Sequence, residues 1–344
     1  MTTCVADASL MVPVSGCPRV SWEEEVAMAV PREPPVHYIN VGANKGYNAA
    51  SFLGLWSSRR IASKDWQQAI LRYARAQNVS LRASVACGMC KACNVPLARE
   101  HGRRGGRAHL LDLSPSNFGL LSWLVAHFNL SDVARVHEIG ASNASGSAML
   151  RADKIVGAED LSLGTGAHGQ HATKAVPIVR LDDFLSTNGI NNPYHVSVDA
   201  EGWDSLALEG LQSSLSRRLV ALLEFEYSGA GYWSAAHSES RTLERTLSWL
   251  DSLGYRCYWQ ARHDLIPATR PCWRAEFETR SWSNLVCAHE PRVLAVLDGI
   301  ALSGSRRRDR TCNIRGTRKM SRSYRRAWCG FRRSGTTWAL SSEM

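Results

Sequence analysis

In VHYINVGANKGYNAASF, from Val36 to Phe52, apolar alternation runs into Gly42, Ala43, Asn44 and Gly46 and then into a helical spacing. A strand that ends in a glycine turn and restarts as a helix predicts a place where backbone N–H groups and the helix dipole meet a polar ligand. The same rhythms recur down the chain. RAHLLDL (107–113) predicts a strand, and Ser114 as N-cap with Pro115 at the first helical position opens a helix that ends near Asn129. VARVHEIGA predicts another strand, AVPIVRLDDFL a strand and a short helix, and YHVSVDAEGW an alternating strand broken by Gly202. WDSLALEGLQSSL reads as helix and RLVALLEFEY as a strongly apolar strand. Leu243, Leu247 and Leu250 mark the buried face of a helix that stops at Gly254, and YRCYWQ and SWSNLVCAH complete the strands. Strands alternating with helices predict an α/β fold, a mainly parallel sheet covered on both faces.

Length sets the scale of this picture. With 344 residues, 44% of them hydrophobic, the chain holds one large α/β domain with extensions or two smaller ones. The net charge of +10 first suggests nucleic acid, but its location changes that inference. From residue 301 to 344 there are 12 Lys and Arg against 2 Asp and Glu, so the tail carries all of the excess and the body is neutral. The tail is rich in Arg, Ser and Gly with little apolar periodicity, which predicts disorder; such a tail can still attract nucleic acid, an acidic partner or anionic lipid. The neutral body carries no aromatic RNA-binding motif and no NPPY-like element for base chemistry.

The N-terminal ASLMVPV patch has no basic region before it, and no segment reaches the roughly 18 apolar residues of a membrane span. A soluble protein, cytoplasmic by default, is expected. The ten cysteines are too sparse for a small disulfide scaffold, and reduced thiols are the expectation. Cys87, Cys90 and Cys93 stand apart, because the spacing CGMCKAC would let three thiolates converge on one structural zinc, with His101 the nearest fourth ligand. Free thiols or a disulfide in a loop are the alternative.

Taken in order, INVGANKGY, LLDLSPSNFGLL, ASNASGSA, VPIVRLDDFL and VSVDAEGWDSLALEGL resemble the FkbM-family methyltransferases, over roughly Val36 to His289. The resemblance implies the class I methyltransferase fold, a Rossmann-like, seven-stranded, mostly parallel sheet whose last hairpin is antiparallel. It also implies S-adenosylmethionine as cofactor and O-methylation of a hydroxyl on a sugar or related metabolite. The expected organisation is an N-terminal extension (1–30), a methyltransferase domain (31–290) with an insert at about 57–106, and the basic tail (301–344). The insert is the largest departure: Asp112 follows Gly46 by 66 residues, where the ribose acid of a dinucleotide fold follows its glycine turn by roughly 20.

Within that resemblance, Gly42, Ala43, Asn44 and Gly46 would pack against the methionine and ribose of the cofactor, and Asn40 would offer hydrogen bonds to its amino group. Asp112 would accept from the ribose hydroxyls, with a helix-start aspartate as the alternative. Asn129 and the Ala141, Ser142, Asn143 turn would line the adenine side. Asp199 and Glu201 flank Ala200 at a strand end, so alternation directs both carboxylates to one side above the sheet. Methyl transfer to oxygen needs the acceptor hydroxyl aligned and its proton removed, which a carboxylate can do. Glu201 is the candidate base; Asp199 would orient the cofactor or acceptor, or share a divalent metal with Glu201. Glu224, Glu226 and His37 are second-line candidates. Asn40 stands where an aspartate is common in the family and Ser197 where a lysine often precedes the DxEG motif. Both motivate an alternative, a cofactor-binding module without turnover.

Overall fold

The computed structural model describes residues 4, 22–57, 59, 61–82, 85, 105–151, 155–157, 173–229, 231–234, 241–261, 265–280 and 282–311. The chain enters through α1 (Trp22–Ala29), β1 (Val36–Val41) and α2 (Tyr47–Trp56), and then α3 (Ser63–Gln77) and β2 (Ser80–Leu81) precede β3 (Gly106–Leu111), α4 (Pro115–His127) and β4 (Ala134–His137). An excursion holding β5 (Gly140–Ser142), β6 (Gly146–Arg151), β7 (Ile155–Val156) and β8 (Thr173–Arg180) leads through α5 (Leu181–Thr187) to β9 (Pro193–Val198). The remainder is α6 (Asp204–Glu209), α7 (Gln212–Ser216), β10 (Leu222–Tyr227), α8 (Leu243–Ser252), β11 (Arg256–Gln260), β12 (Leu265–Pro267), β13 (Ser283–Ala288) and α9 (Pro291–Thr311).

Among the described residues the main sheet has eight strands in the order β12-β11-β13-β10-β9-β1-β3-β4. Strands β10, β9, β1, β3 and β4 run parallel, while β13 lies antiparallel between β10 and β11. The sheet is therefore mixed and mostly parallel, as expected, but it exceeds the expected seven strands through the short edge strand β12, antiparallel to β11. Side chains alternate between two cores. Val36 and Tyr38 of β1 join Phe52, Leu53, Leu121 and Val293 on one face; Ile39 and Val41 join Val198, Leu223, Leu247 and Leu250 on the other. Helix α9 runs to Thr311, past the point where the basic tail begins. No helix of the described residues is long and apolar enough to cross a membrane.

Local chemistry explains the element boundaries. Ser114 caps α4, its Oγ accepting from the Asn117 N–H at 3.3 Å, with Pro115 at the first position. Thr242 does the same for α8, accepting from Arg245 at 3.1 Å. The single helix expected over WDSLALEGLQSSL is two, α6 and α7, broken near Gly210. A Cβ at Gly210 would lie 2.2 Å from the Ser142 carbonyl oxygen, so the break brings β5 onto this corner, and Asp182 receives the Ser213 and Ser214 N–H groups that open α7.

The cysteine expectation is corrected. All the cysteines among the described residues are paired: Cys4 with Cys272 (S–S 1.97 Å) and Cys257 with Cys287 (2.03 Å), the latter facing each other on β11 and β13. They form disulfides and not a metal-coordinating cluster, which removes the basis for a structural zinc on thiolates. Cys87, Cys90 and Cys93, to which that zinc was assigned, lie outside the described residues, as does His101.

Candidate active site

The glycine turn after β1 sits at the carboxyl end of the sheet, in contact with the turn after β9. Gly42 has φ +71°, and a Cβ there would lie 1.7 Å from the Asp199 carbonyl oxygen. The missing side chain thus serves the approach of two chain segments. Gly46, φ +76°, starts α2 where a Cβ would meet Leu121 and Trp66 at 2.9 Å. The N–H groups of Gly42 and Ala43 donate to the Leu111 carbonyl at 2.9 and 3.1 Å, and that of Gly46 to Ala43 at 2.7 Å. Where the sequence predicts N–H groups open to a ligand, these are spent on the chain itself.

Asp112 is the hub of this closure. One carboxylate oxygen accepts from the Asn44 N–H at 2.7 Å, the other from Ser114 N–H at 2.9 Å, and the Asn117 amide donates to both at 3.2 and 3.3 Å. Burial pushes the Asp112 carboxyl up to about 6, and these hydrogen bonds pull in the other direction. Asn117 in turn accepts from the Gly157 N–H at 2.7 Å, which joins the excursion before α5 to the same knot. Asn117 was not singled out from sequence; its place one turn into a helix whose N-cap follows the acid is the local signal.

The insert also packs on the glycine turn. Lys45, almost fully buried, donates from Nζ to the Arg82 carbonyl at 2.8 Å, while Trp66 Nε1 of α3 donates to the Lys45 carbonyl at 2.9 Å.

Asp199 and Glu201 follow β9, the Asp199 N–H bonding the Val41 carbonyl at 3.1 Å. Glu201 (φ +52°) and Gly202 (φ +88°) are left-handed, which turns the chain back into α6. Asp204, fully buried, fastens that turn: one oxygen accepts from Ala200 N–H at 2.9 Å, the other from Gly202 N–H at 3.0 Å and Trp233 Nε1 at 3.2 Å. Burial raises Asp204 to about 6. It too was missed; an acid two residues after a glycine turn, at the start of a helix, is its signature.

Across the sheet, Glu226 of β10 is 5% exposed, and its Oε2 has no hydrogen-bond partner. Burial first, then the charges of Asp199, Asp204 and Glu201, hold its carboxyl well above the usual carboxylate range. The four acids therefore share one end of the sheet. Asn40, 1% exposed and opposite Ser197 in register, has neither amide atom partnered, and Asn44 Oδ1 is likewise unpartnered. Buried polar atoms normally find partners, so this group fits a polar ligand supplying donors and acceptors.

The expected adenine-side residues separate. Ser142 is buried on β5, and Asn143 donates to Glu209 at 2.9 Å beside the acidic turn. Arg241 joins the same rim, 3.2 Å from Glu209 and with its guanidinium 5.1 Å from the Tyr232 ring centre. Asn129 instead follows α4, which carries it about 20 Å away from the Ser114 end. His37 lies near the start of β1, its ring 5.6 Å from that of His109, and burial lowers its pKa. Neither belongs to the site.

A family model described as "Methyltransferase FkbM domain" matches residues 40–257, more than half of the chain. Among solved structures, the crystal structure of methyltransferase FkbM from Methylobacillus flagellatus KT is similar at 14% identity and a TM-score of 0.38, covering 75% of this chain and 45% of its own. This chain thus spans less than half the length of that solved relative. No curated protein matches it.

Proposed function

The chain belongs to the FkbM methyltransferase family, and from that premise we propose that it is an S-adenosylmethionine-dependent methyltransferase acting on a hydroxyl oxygen of a sugar or related small molecule. The observation that carries this reading is the set of unpartnered, buried polar atoms of Asn40 and Glu226 at the end of the sheet where the Asp199 and Glu201 turn lies. When bound, S-adenosylmethionine supplies a methyl group made electrophilic by its sulfonium. Asn40, Gly42, Ala43, Asn44, Gly46, Asp112, Ser142 and Asp199 are the residues proposed to hold it. Asp112 can receive ribose hydroxyls by giving up the amide of Asn117, its longest contact.

The chain's own part in the chemistry falls to the acids. Glu201 takes the proton of the acceptor hydroxyl as its oxygen becomes nucleophilic. Glu226, whose carboxyl burial and the neighbouring acids hold well above the usual carboxylate range, donates a hydrogen bond from the buried side of the site in its protonated form. Asp199 orients the acceptor or cofactor. The rival reading, a cofactor-binding module without turnover, draws support from Asn40 and Ser197 and from an Asp112 whose oxygens are already engaged. The Arg-rich tail, a proposed contact for nucleic acid or an acidic partner, lies outside the described residues beyond Thr311.

The deciding experiment combines calorimetric titration of S-adenosylmethionine and S-adenosylhomocysteine with methylation assays over a panel of hydroxyl acceptors. Glu201→Gln should keep cofactor affinity and lose roughly 10²–10⁴-fold in turnover. Cofactor binding without turnover on any acceptor would favour the module, and no cofactor binding by folded protein would remove both readings.

A further inference from the structure

A second polar cluster that the methyl-transfer reading does not use continues from Asn40 and Ser197 to Glu224, which is opposite Ser197 in register, and to His195 next to it on the same face. Glu23 of α1, His195 of β9 and Glu224 of β10 bring one ligand atom each to within 4.8 Å of one another. His195 is 3% exposed, yet its Nε2 has no hydrogen-bond partner and faces Glu224 Oε2 at 3.6 Å, beyond hydrogen-bond range. Its ring is held edge-on to Trp22 at 5.6 Å and against Tyr38 at 4.8 Å. Glu224 is held from behind: Gln260 Nε2 donates to its Oε1 at 2.6 Å, and Gln260 Oε1 accepts from Trp22 Nε1 at 3.2 Å.

We propose that Glu23, His195 and Glu224 form a binding site for one first-row divalent cation, which ties α1 to the central strands. An imidazole nitrogen with two carboxylates is a hard-to-borderline donor set, suited to manganese or iron(II). A shared ion at about 2.1 Å from each atom would draw the ligands to roughly 3–3.5 Å apart, a contraction side chains can make. The Gln260 and Trp22 contacts supply the outer shell that orients a ligating carboxylate. The cation also answers an electrostatic problem: two carboxylates lie together beneath a helix, and burial has already pushed Glu23 up to about 7. Glu23 precedes the family-matched residues 40–257 and His195 and Glu224 lie within them, so the site joins the N-terminal segment to the domain.

The test is titration of chelator-treated, full-length protein with Mn²⁺ and with Co²⁺, followed by thermal melting and, for Co²⁺, visible absorption. One equivalent should bind with a Co²⁺ spectrum free of thiolate charge transfer, and the melting temperature should rise by about 5 °C at 100-fold excess over Kd. Glu224→Gln and His195→Gln should abolish both. Glu23→Gln, a near-isosteric change at a half-buried position on α1, should weaken binding at least tenfold. The proposal is overturned if neither ion shifts wild-type melting, or if binding and its spectrum are unchanged in Glu23→Gln.

Discussion

The turn after β1 and the turn after β9 touch at Gly42 and Asp199, yet they treat their polar groups in different ways. The first closes its backbone, Asp112 gathering the Asn44 and Ser114 N–H groups and the Asn117 amide, and keeps unpartnered atoms on the side chains of Asn40 and Asn44. The second fastens its backbone through Asp204 and has beside it a buried acid, Glu226, whose Oε2 is unpartnered. A glycine-rich motif is thus no measure of where a ligand finds open backbone N–H groups. Here the glycines build the frame, and the unmet chemistry lies on the side chains of Asn40, Asn44 and Glu226.

The contact between the turns offers the largest effect. Gly42→Ala puts a Cβ 1.7 Å from the Asp199 carbonyl at a left-handed φ, and neither backbone can yield without breaking the sheet ends apart. A loss of about 4 kcal/mol or more is expected in denaturant unfolding. A near-wild-type midpoint would mean that the turns are not mutually braced. Next comes Asp112→Ala, which strands three donors and should cost about 3 kcal/mol, with cofactor affinity falling alongside. If affinity falls while stability holds, Asp112 serves the ligand more than the frame, and the contrast between the two turns weakens.

The sequence made part of this legible. The N-cap Ser114, the buried stripe of Leu243, Leu247 and Leu250, and the left-handed glycines at 42 and 202 are local signals, and periodicity and turn chemistry carry them. The acids at 199 and 201 were singled out through strand alternation and the family resemblance, but β9 ends at Val198 and both lie in the turn beyond it, where alternation no longer applies. Illegible were pairings whose partners lie far apart in the chain. Asp112 meets Asn44 across 68 residues, and Cys4 meets Cys272 across 268; no local pattern encodes either. Strand β12 was missed because three residues are too few for an alternation to register. Glu23 fell in a segment read only as an extension, and its partners become neighbours only when β9 and β10 pair.

A smaller effect tests the acidic end through pH. A carboxyl whose folded pKa is raised binds its proton more tightly in the folded chain, so it costs nothing below its unfolded value and progressively more as pH rises toward the folded one. Glu226 is such a group, raised from 4.5 by burial and its acidic neighbours. Glu226→Gln should therefore match wild type at pH 4 and exceed its stability at pH 8, measured by denaturant unfolding at both pH values. Equal stability at both pH values would place Glu226 outside the cluster's field and remove the main electrostatic difference between the turns.

The smallest effect belongs to the rim. Arg241 lies 3.2 Å from Glu209, side chains 23% and 40% exposed, with its guanidinium over Tyr232. Exposed pairs of this kind contribute under about 1 kcal/mol and are screened by salt, so Arg241→Ala should barely move the melting temperature. Its position above the acidic turn, and not its ion pair, is what an acceptor would feel. The expected kinetic signature is a raised KM for the acceptor with kcat nearly unchanged, since a rim contact binds ground and transition states alike. A fall in kcat with KM unmoved would instead make Arg241 part of the reacting end and carry the open chemistry beyond the four acids to the rim.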